Sequence, residues 1–190
     1  MESTVFYLEG RNDDDSALVA RLKKGLNTNG LLDYISPEDL VAVKPHASPL
    51  LHAMNYLTGR VDRDYLENFR TPSGAQSYPS ATKDKGGIDI STGSVGLGVA
   101  LTGFAALTQD YVAAKRWTSG AKPGRMIALV GDAELDEGNV YEMLQESWKH
   151  DLRNIWWIID YNRQSLDGIV AEGLYERFAK IFEAFGWRVK

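Results

Sequence analysis

The sequence predicts an α/β fold of three layers, with helices on both faces of a mostly parallel sheet. Two continuous apolar runs, Met126-Ile127-Ala128-Leu129-Val130 and Ile155-Trp156-Trp157-Ile158-Ile159, are of the kind found in strands buried on both faces. Between them Val140, Leu144 and Trp148 recur every four residues, which is a helical spacing. A strand, a helix and a strand in that order make a parallel crossover unit, and the continuing alternation of helix and strand gives the layered class.

The elements follow in chain order. Residues 1–45 differ in texture from the rest and are expected to form an N-terminal helical extension, with 46–190 as the main domain. The acidic run Asp13-Asp14-Asp15 precedes Leu18, Val19, Leu22 and Leu26, spaced like one face of a short helix whose positive end the acids favour. Ser36-Pro37-Glu38-Asp39 reads as a cap, a first-turn proline and two first-turn acids, so another short helix is expected there. Ser48-Pro49 repeats the signal ahead of Leu50, Leu51, Met54 and Leu57, and Gly59 ends that helix. Residues 70–89, with Pro72, Gly74, Pro79, Gly86 and Gly87 and almost no apolar periodicity, read as a loop. A loop of about twenty residues within a compact domain is more often functional than filler. Gly93, Gly96, Gly98 and Gly103 alternate with apolar residues from Val95 to Leu107, which predicts a buried helix packed closely on the sheet and reaching about Trp117. Leu174, Phe178, Ile181, Phe182 and Phe185 mark a further helix that Gly186 stops, and Trp187-Arg188-Val189 follows as a strand expected to be cut short by the chain end.

Composition narrows the function. The 190 residues hold 21 Lys plus Arg against 26 Asp plus Glu, a formal net charge of −5, which disfavours a nucleic-acid binder. No apolar run approaches the ~18 residues of a membrane span. The N-terminal Met1-Glu2-Ser3-Thr4 lacks the basic-then-apolar pattern of a signal peptide, so a cytoplasmic protein is expected. The absence of cysteine excludes disulfides, thiolate metal sites, iron–sulfur clusters and cysteine nucleophiles. Any metal must sit on oxygen or imidazole.

Parallel sheets of this class bind ligands beyond the carboxyl ends of their strands. Gly131-Asp132-Ala133-Glu134-Leu135-Asp136-Glu137-Gly138 follows the first apolar run, and Asp160-Tyr161-Asn162-Arg163-Gln164-Ser165 follows the second. Asp132 and Asn162 are thirty residues apart, about one strand–helix–strand circuit, so their side chains are expected to open on the same edge. A carboxylate and an amide oxygen, with backbone carbonyls and phosphate oxygens, are what Mg²⁺ requires. Gly131 permits a sharp turn, and the helix starting near Glu137 offers N–H groups to a phosphate. The plainer alternative leaves Asp132 as a helix cap and Asn162 as a turn former.

The stretch from Gly131-Asp132 to Asn162 resembles the thiamine diphosphate motif, a Gly-Asp-Gly followed some thirty residues later by asparagine. The likeness extends through Val43-Lys44-Pro45-His46-Ala47-Ser48-Pro49, Tyr56-Leu57-Thr58-Gly59, Asn68-Phe69-Arg70, Gly74-Ala75-Gln76-Ser77-Tyr78-Pro79 and Thr92-Gly93-Ser94-Val95-Gly96-Leu97-Gly98. Together these motifs resemble the diphosphate-binding domain of the transketolase and single-chain pyruvate dehydrogenase group, over about residues 40–190. The resemblance implies the thiamine diphosphate-binding fold, incomplete at its C-terminal end. It further implies Asp132, the Asn162 side chain and the Gln164 backbone carbonyl as Mg²⁺ ligands. Gly131, Ala133, Gly93 and Val95 would lie along the cofactor, and His46 near its diphosphate and the reacting carbonyl. Glu137 matches an acid that helps link two cofactors across a subunit interface. His52 is expected on a helix surface and His150 at a helix C-terminus.

Two departures stand out. Ala133 replaces the second glycine of the motif, adding a methyl group and disfavouring positive φ. The group also carries a histidine upstream of the one matching His46, and residues 1–45 contain none. In activity the resemblance favours oxidative decarboxylation of a 2-oxo acid such as pyruvate, with ketol transfer between sugar phosphates as the alternative. A catalytically inactive cofactor- or partner-binding fragment is the reading of another class. The partners implied are a homodimer or a second, pyrimidine-binding domain, and a lipoyl-bearing acyltransferase.

Overall fold

The computed structural model describes residues 4–9, 39–57, 59–118, 120, 122–165, 168–169 and 173–190. In chain order these form β1 (Thr4–Glu9), β2 (Leu40–Val43), a 3₁₀ turn (Pro45–Ala47), α1 (Ser48–Leu57), α2 (Arg63–Glu67) and α3 (Leu97–Ala114). After them come β3 (Met126–Gly131), a second 3₁₀ segment (Asp132–Asp136), α4 (Gly138–Lys149), β4 (Ile155–Tyr161), β5 (Gln164–Ser165), β6 (Gly168–Ile169), α5 (Leu174–Ala184) and β7 (Arg188–Val189). Five strands make one parallel sheet in the order β2-β3-β4-β1-β7, and β5 and β6 form a separate antiparallel pair.

The two apolar runs are direct neighbours, paired from Met126 opposite Ile155 to Gly131 opposite Asp160. Every residue of β3 is buried, as a central parallel strand requires. Strand alternation sends Met126, Ala128 and Val130 into one core, with Val99, Val140, Met143, Leu144, Trp157 and Phe182. Ile127 and Leu129 enter the other, with Val43, Ala47, Leu50 and Ile158. Two cores on opposite faces are what a three-layer α/β domain contains.

On the first face α3 and α4 approach closely because residue 103 is glycine: a β-carbon there would stand 1.8 Å from Met143 Sδ. Trp157, Phe182 and Trp187 cluster behind this contact, with the two indoles 4.6 Å apart at their centroids. Each buried indole N–H is satisfied, Trp157 donating to Thr102 Oγ1 and Trp187 to Ser147 Oγ, both at 3.2 Å. This matters because an orphaned buried donor costs about 1–3 kcal/mol.

Several sequence expectations are corrected. The helix expected from Ser36 does not run through residues 40–43, where Leu40-Val41-Ala42-Val43 pairs in register with Met126 to Leu129. Tertiary pairing of a β-rich run overrides a local cap signal. Residues 1–45 are likewise not simply a helical extension, since β1 joins the sheet between β4 and β7. The short helix expected over Leu18 to Leu26 lies outside the described residues. Helix α3 ends at Ala114 and buries only one face, that of Val99, Ala100, Thr102, Gly103 and Ala106, while Leu97, Leu101, Phe104 and Tyr111 are exposed. Trp148, expected in the stripe of α4, is exposed as well. Residues 70–89 form no helix or strand, as expected. Among the described residues no helix is long and apolar enough to cross a membrane.

Candidate functional site at the carboxyl edge of the sheet

The ends of β3 and β4 meet as the crossover requires. Asp132 leaves β3 with its carboxyl group buried; Oδ1 accepts the N–H of Ala133 at 3.0 Å and Oδ2 that of Arg163 at 2.7 Å. The second bond joins residues 31 apart in sequence and brings the segment after β4 against Asp132. Asn162 lies in that segment, half-buried, with its N–H donating to the carbonyl of Asp160. Arg163 takes a positive φ of 63°, which turns the chain into β5, where Gln164 pairs with Ile169. Burial pushes the Asp132 carboxyl above the usual carboxylate range; the N–H groups of Arg163 and Ala133 and the charge of Lys44 oppose that shift, and Asp160 adds to it.

Ala133 lies in the 3₁₀ segment, and it is not among the described non-glycine residues with positive φ. The alanine is thus compatible with the backbone it occupies. Glu134 turns back, its Oε2 accepting the N–H of Gly131 at 3.3 Å, while Oε1 has no partner. Burial raises its pKa to about 6, against the opposing pull of the Gly131 and Gly96 N–H groups and the Lys44 charge, and the Glu137 charge adds to the rise. Glu137 is exposed and precedes α4 as its N-cap residue in extended conformation. His150 sits at the far end of α4 as its C-cap residue, as expected.

Gly96 connects this edge to α3. It takes φ 78° as the helix N-cap, and a β-carbon there would lie 2.6 Å from Asn139 Oδ1 and 2.8 Å from Glu137 Cβ. Only glycine fits both the conformation and the approach. Gly93 and Val95 precede it, Gly93 exposed and Val95 half-buried, with the Tyr78 ring 3.8 Å from where a Gly93 β-carbon would stand.

His46 is exposed on the 3₁₀ turn that follows β2. The loop beside it is pinned by side chains that the sequence reading assigned no role. Asp84 accepts the Tyr65 hydroxyl at 2.8 Å and the N–H groups of Gln76 and Ser80 at 2.9 and 2.8 Å. Ser48 Oγ bridges the carbonyls of Pro45 and Ser77, each at 2.5 Å. His52, expected on a helix surface, is buried at 1% exposure, and its Nε2–H donates to the Gln76 carbonyl at 3.1 Å. Its position on the inner face of α1 explains the difference: the imidazole ties the helix to the loop. Lys44 and Asp160, also without an assigned role, form a buried ion pair beside Gly131.

Asp132, the amide oxygen of Asn162 and the carbonyl of Gln164 are hard oxygen donors of the type magnesium takes together with phosphate oxygens. Glu134 Oε1 is a buried oxygen without a hydrogen-bond partner on the same edge, while the space beside Gly96 is filled by Asn139 and Glu137. The residues therefore fit a magnesium diphosphate group.

Comparison with known proteins points the same way. The family model for the transketolase thiamine diphosphate binding domain matches residues 23–190. A transketolase from Staphylococcus aureus strain MW2 is 27% identical over 157 residues, covering 82% of this chain and 24% of the relative. A pyruvate dehydrogenase E1 component from Cupriavidus necator is 30% identical over 156 residues, covering 80% of this chain and 17% of the relative. The crystal structure of transketolase from Campylobacter jejuni superposes with a TM-score of 0.67 and 31% identity over 78% of this chain and 23% of that one. The chain thus spans about a quarter or less of the length of these relatives. It belongs to the family of transketolase-type thiamine diphosphate-binding domains.

Proposed function

We propose that this chain holds the magnesium diphosphate end of thiamine diphosphate in an enzyme that oxidatively decarboxylates a 2-oxo acid. The observation that supports the reading is the 2.7 Å hydrogen bond from the Arg163 N–H to Asp132 Oδ2, which ties the segment carrying Asn162 and Gln164 to Asp132. When bound, the cofactor supplies carbanion chemistry at a keto carbon. The chain's own residues do the rest. Asp132, its lone pairs oriented by two N–H groups, takes the metal with Asn162 and the Gln164 carbonyl. Gly131 and Ala133, which flank Asp132, lie along the diphosphate, and Gly93 and Val95 run along the rings. His46, exposed at the rim, holds a proton near the reacting carbonyl oxygen. Glu137 faces a second cofactor-binding unit, either another copy of the chain or a separate pyrimidine-binding domain.

The preference for a 2-oxo acid rests on Gly74-Ala75-Gln76-Ser77-Tyr78-Pro79 and Leu135-Asp136-Glu137, which resemble the single-chain pyruvate dehydrogenases. On that reading a lipoyl-bearing acyltransferase receives the acyl group, in the cytoplasm. Ketol transfer is the second reading, supported by the transketolase relatives.

Calorimetric titration of thiamine diphosphate with Mg²⁺ tests the site. The parent protein should bind, and Asp132→Asn, which keeps one of the two acceptor oxygens and loses the charge, should weaken binding at least about 100-fold, or ~3 kcal/mol. Equal affinity would remove Asp132 from the site. Product analysis of the assembled enzyme with pyruvate against a ketose phosphate then separates the two activities.

A further inference from the structure

One lysine serves three buried carboxyl groups at the carboxyl edge. Lys44 follows β2, and its Nζ lies 2.5 Å from Asp160 Oδ2 in β4, the two side chains only 10% and 6% exposed. To reach it, the lysine stem crosses the end of β3 over Gly131, where a β-carbon would stand 3.4 Å from Cδ and 3.5 Å from Nζ. Asp160 is the register partner of Gly131, so it ends beside Asp132. Glu134 feels the lysine charge too, but it is turned onto the Gly131 N–H.

We propose that Lys44 is a positioning residue that makes metal loading conditional on the diphosphate: by holding Asp160 in an ion pair it leaves Asp132, through its remaining lone pairs, as the aspartate that takes the cation. The inference rests on reading the edge as a magnesium diphosphate site. Magnesium dehydrates reluctantly and is usually held by one or two carboxylates plus phosphate oxygens. With one aspartate available and an ammonium alongside, the edge alone holds a divalent ion weakly. The diphosphate supplies the missing oxygens, and the same ammonium that repels a lone cation attracts the anion. Without Lys44, Asp160 becomes a second carboxylate donor, and the metal binds before the diphosphate.

An ion pair of purely structural value gives a different signature, because breaking it from either side would loosen the edge in the same way. Charge gating predicts opposite shifts. Mn²⁺ binding to the purified protein without cofactor, read by electron paramagnetic resonance, distinguishes the two. Lys44→Met should bind Mn²⁺ about tenfold more tightly than the parent, and Asp160→Asn, whose ammonium is no longer neutralised, about tenfold more weakly. The double variant Lys44→Met/Asp160→Asn restores the parent's net charge and should return Mn²⁺ affinity to within about threefold of it. Shifts in the same direction, or none, overturn the proposal. Should Lys44→Met fail to fold, the comparison of Asp160→Asn with the double variant decides: equal weakening in both overturns it, and recovery in the double supports it. Thiamine diphosphate binding at saturating Mg²⁺ should fall about tenfold in both variants lacking Lys44, since the ammonium no longer draws the anion. A parent that binds no thiamine diphosphate would sink the cofactor reading, while the opposite Mn²⁺ shifts would still be legible.

Discussion

The core behind β3 and β4 and the edge in front of them both bury polar groups, and they do so by opposite rules. Behind the sheet the buried donors are neutral and paired: Trp157 with Thr102, Trp187 with Ser147. In front, Asp132, Glu134 and Asp160 are buried with Lys44 as their near cation, and Glu134 Oε1 has no partner. A neutral, satisfied network fixes packing at little electrostatic cost, whereas a cluster of carboxyl groups is expensive to bury. The difference marks the first region as scaffold, and it is the contrast expected if the second is the proposed binding edge. Substitutions behind the sheet should therefore lower stability without changing ligand affinity, whereas in front the loss of a proposed metal donor should lower affinity and the loss of a buried charge should not lower stability.

The largest stability effect is expected at Gly103. A side chain there meets Met143 Sδ, Cγ and Cε, all within 3.0 Å of the β-carbon position, at the closest approach of α3 and α4. Gly103→Val should cost about 3 kcal/mol of unfolding free energy by overpacking, read as a fall in the urea midpoint. Affinity for thiamine diphosphate with Mg²⁺ should stay at the parent value under conditions where the variant is folded. A matching loss of affinity would show that the α3–α4 contact is coupled to the edge and would break the contrast.

Removing an indole acceptor is the next step down. Thr102→Val keeps the shape of the side chain but leaves the Trp157 N–H buried without a partner, and Ser147→Ala does the same to Trp187. Each should cost about 1–3 kcal/mol, again with cofactor affinity unchanged. Phenylalanine at position 157, which deletes the donor, should make Thr102→Val less costly than it is in the parent. If the two changes are simply additive, the hydrogen bond contributes nothing.

The two regions also differ in how far the sequence discloses them. The central strands and α4 were legible because a buried parallel strand needs an unbroken apolar run and a packed helix needs a four-residue stripe, and both survive in Met126-Ile127-Ala128-Leu129-Val130 and in Val140 and Leu144. The convergence of Asp132 with the segment of Asn162 follows from the length of one crossover, so it too was readable. Strand β2 was not, because the cap-like Ser36-Pro37-Glu38-Asp39 is a local signal, whereas pairing with β3 is a contact between residues 86 apart. His52 and Lys44 were missed for a related reason. A histidine in an amphipathic helix and a lysine after a strand look solvated until the partners, the Gln76 carbonyl and Asp160, are brought in by the fold. Long-range polar pairing leaves no periodic trace in sequence.

The smallest and most pointed test is at Glu134, because it reverses the sign seen behind the sheet. The residue is 5% exposed; its Oε2 accepts a 3.3 Å bond from the Gly131 N–H, and the Gly96 N–H also acts on the carboxyl group. Burial raises its pKa to about 6, so at pH 7 and above the ionised form is less welcome in the folded chain than in the unfolded one. Glutamine has the same shape, keeps an oxygen for the Gly131 N–H and carries no charge. Glu134→Gln should therefore leave the protein at pH 7.5 at least as stable as the parent and raise its stability by about 1 kcal/mol, read from urea unfolding without metal or cofactor. The gain should be absent from Thr102→Val, where a satisfied neutral pair is broken. Since Glu134 is turned onto Gly131 and is not among the proposed metal donors, thiamine diphosphate affinity at saturating Mg²⁺ should change less than about threefold, or ~0.7 kcal/mol. A loss of stability in Glu134→Gln would mean that the carboxylate is held by interactions stronger than its burial cost, and that the edge is scaffold in the same sense as the core.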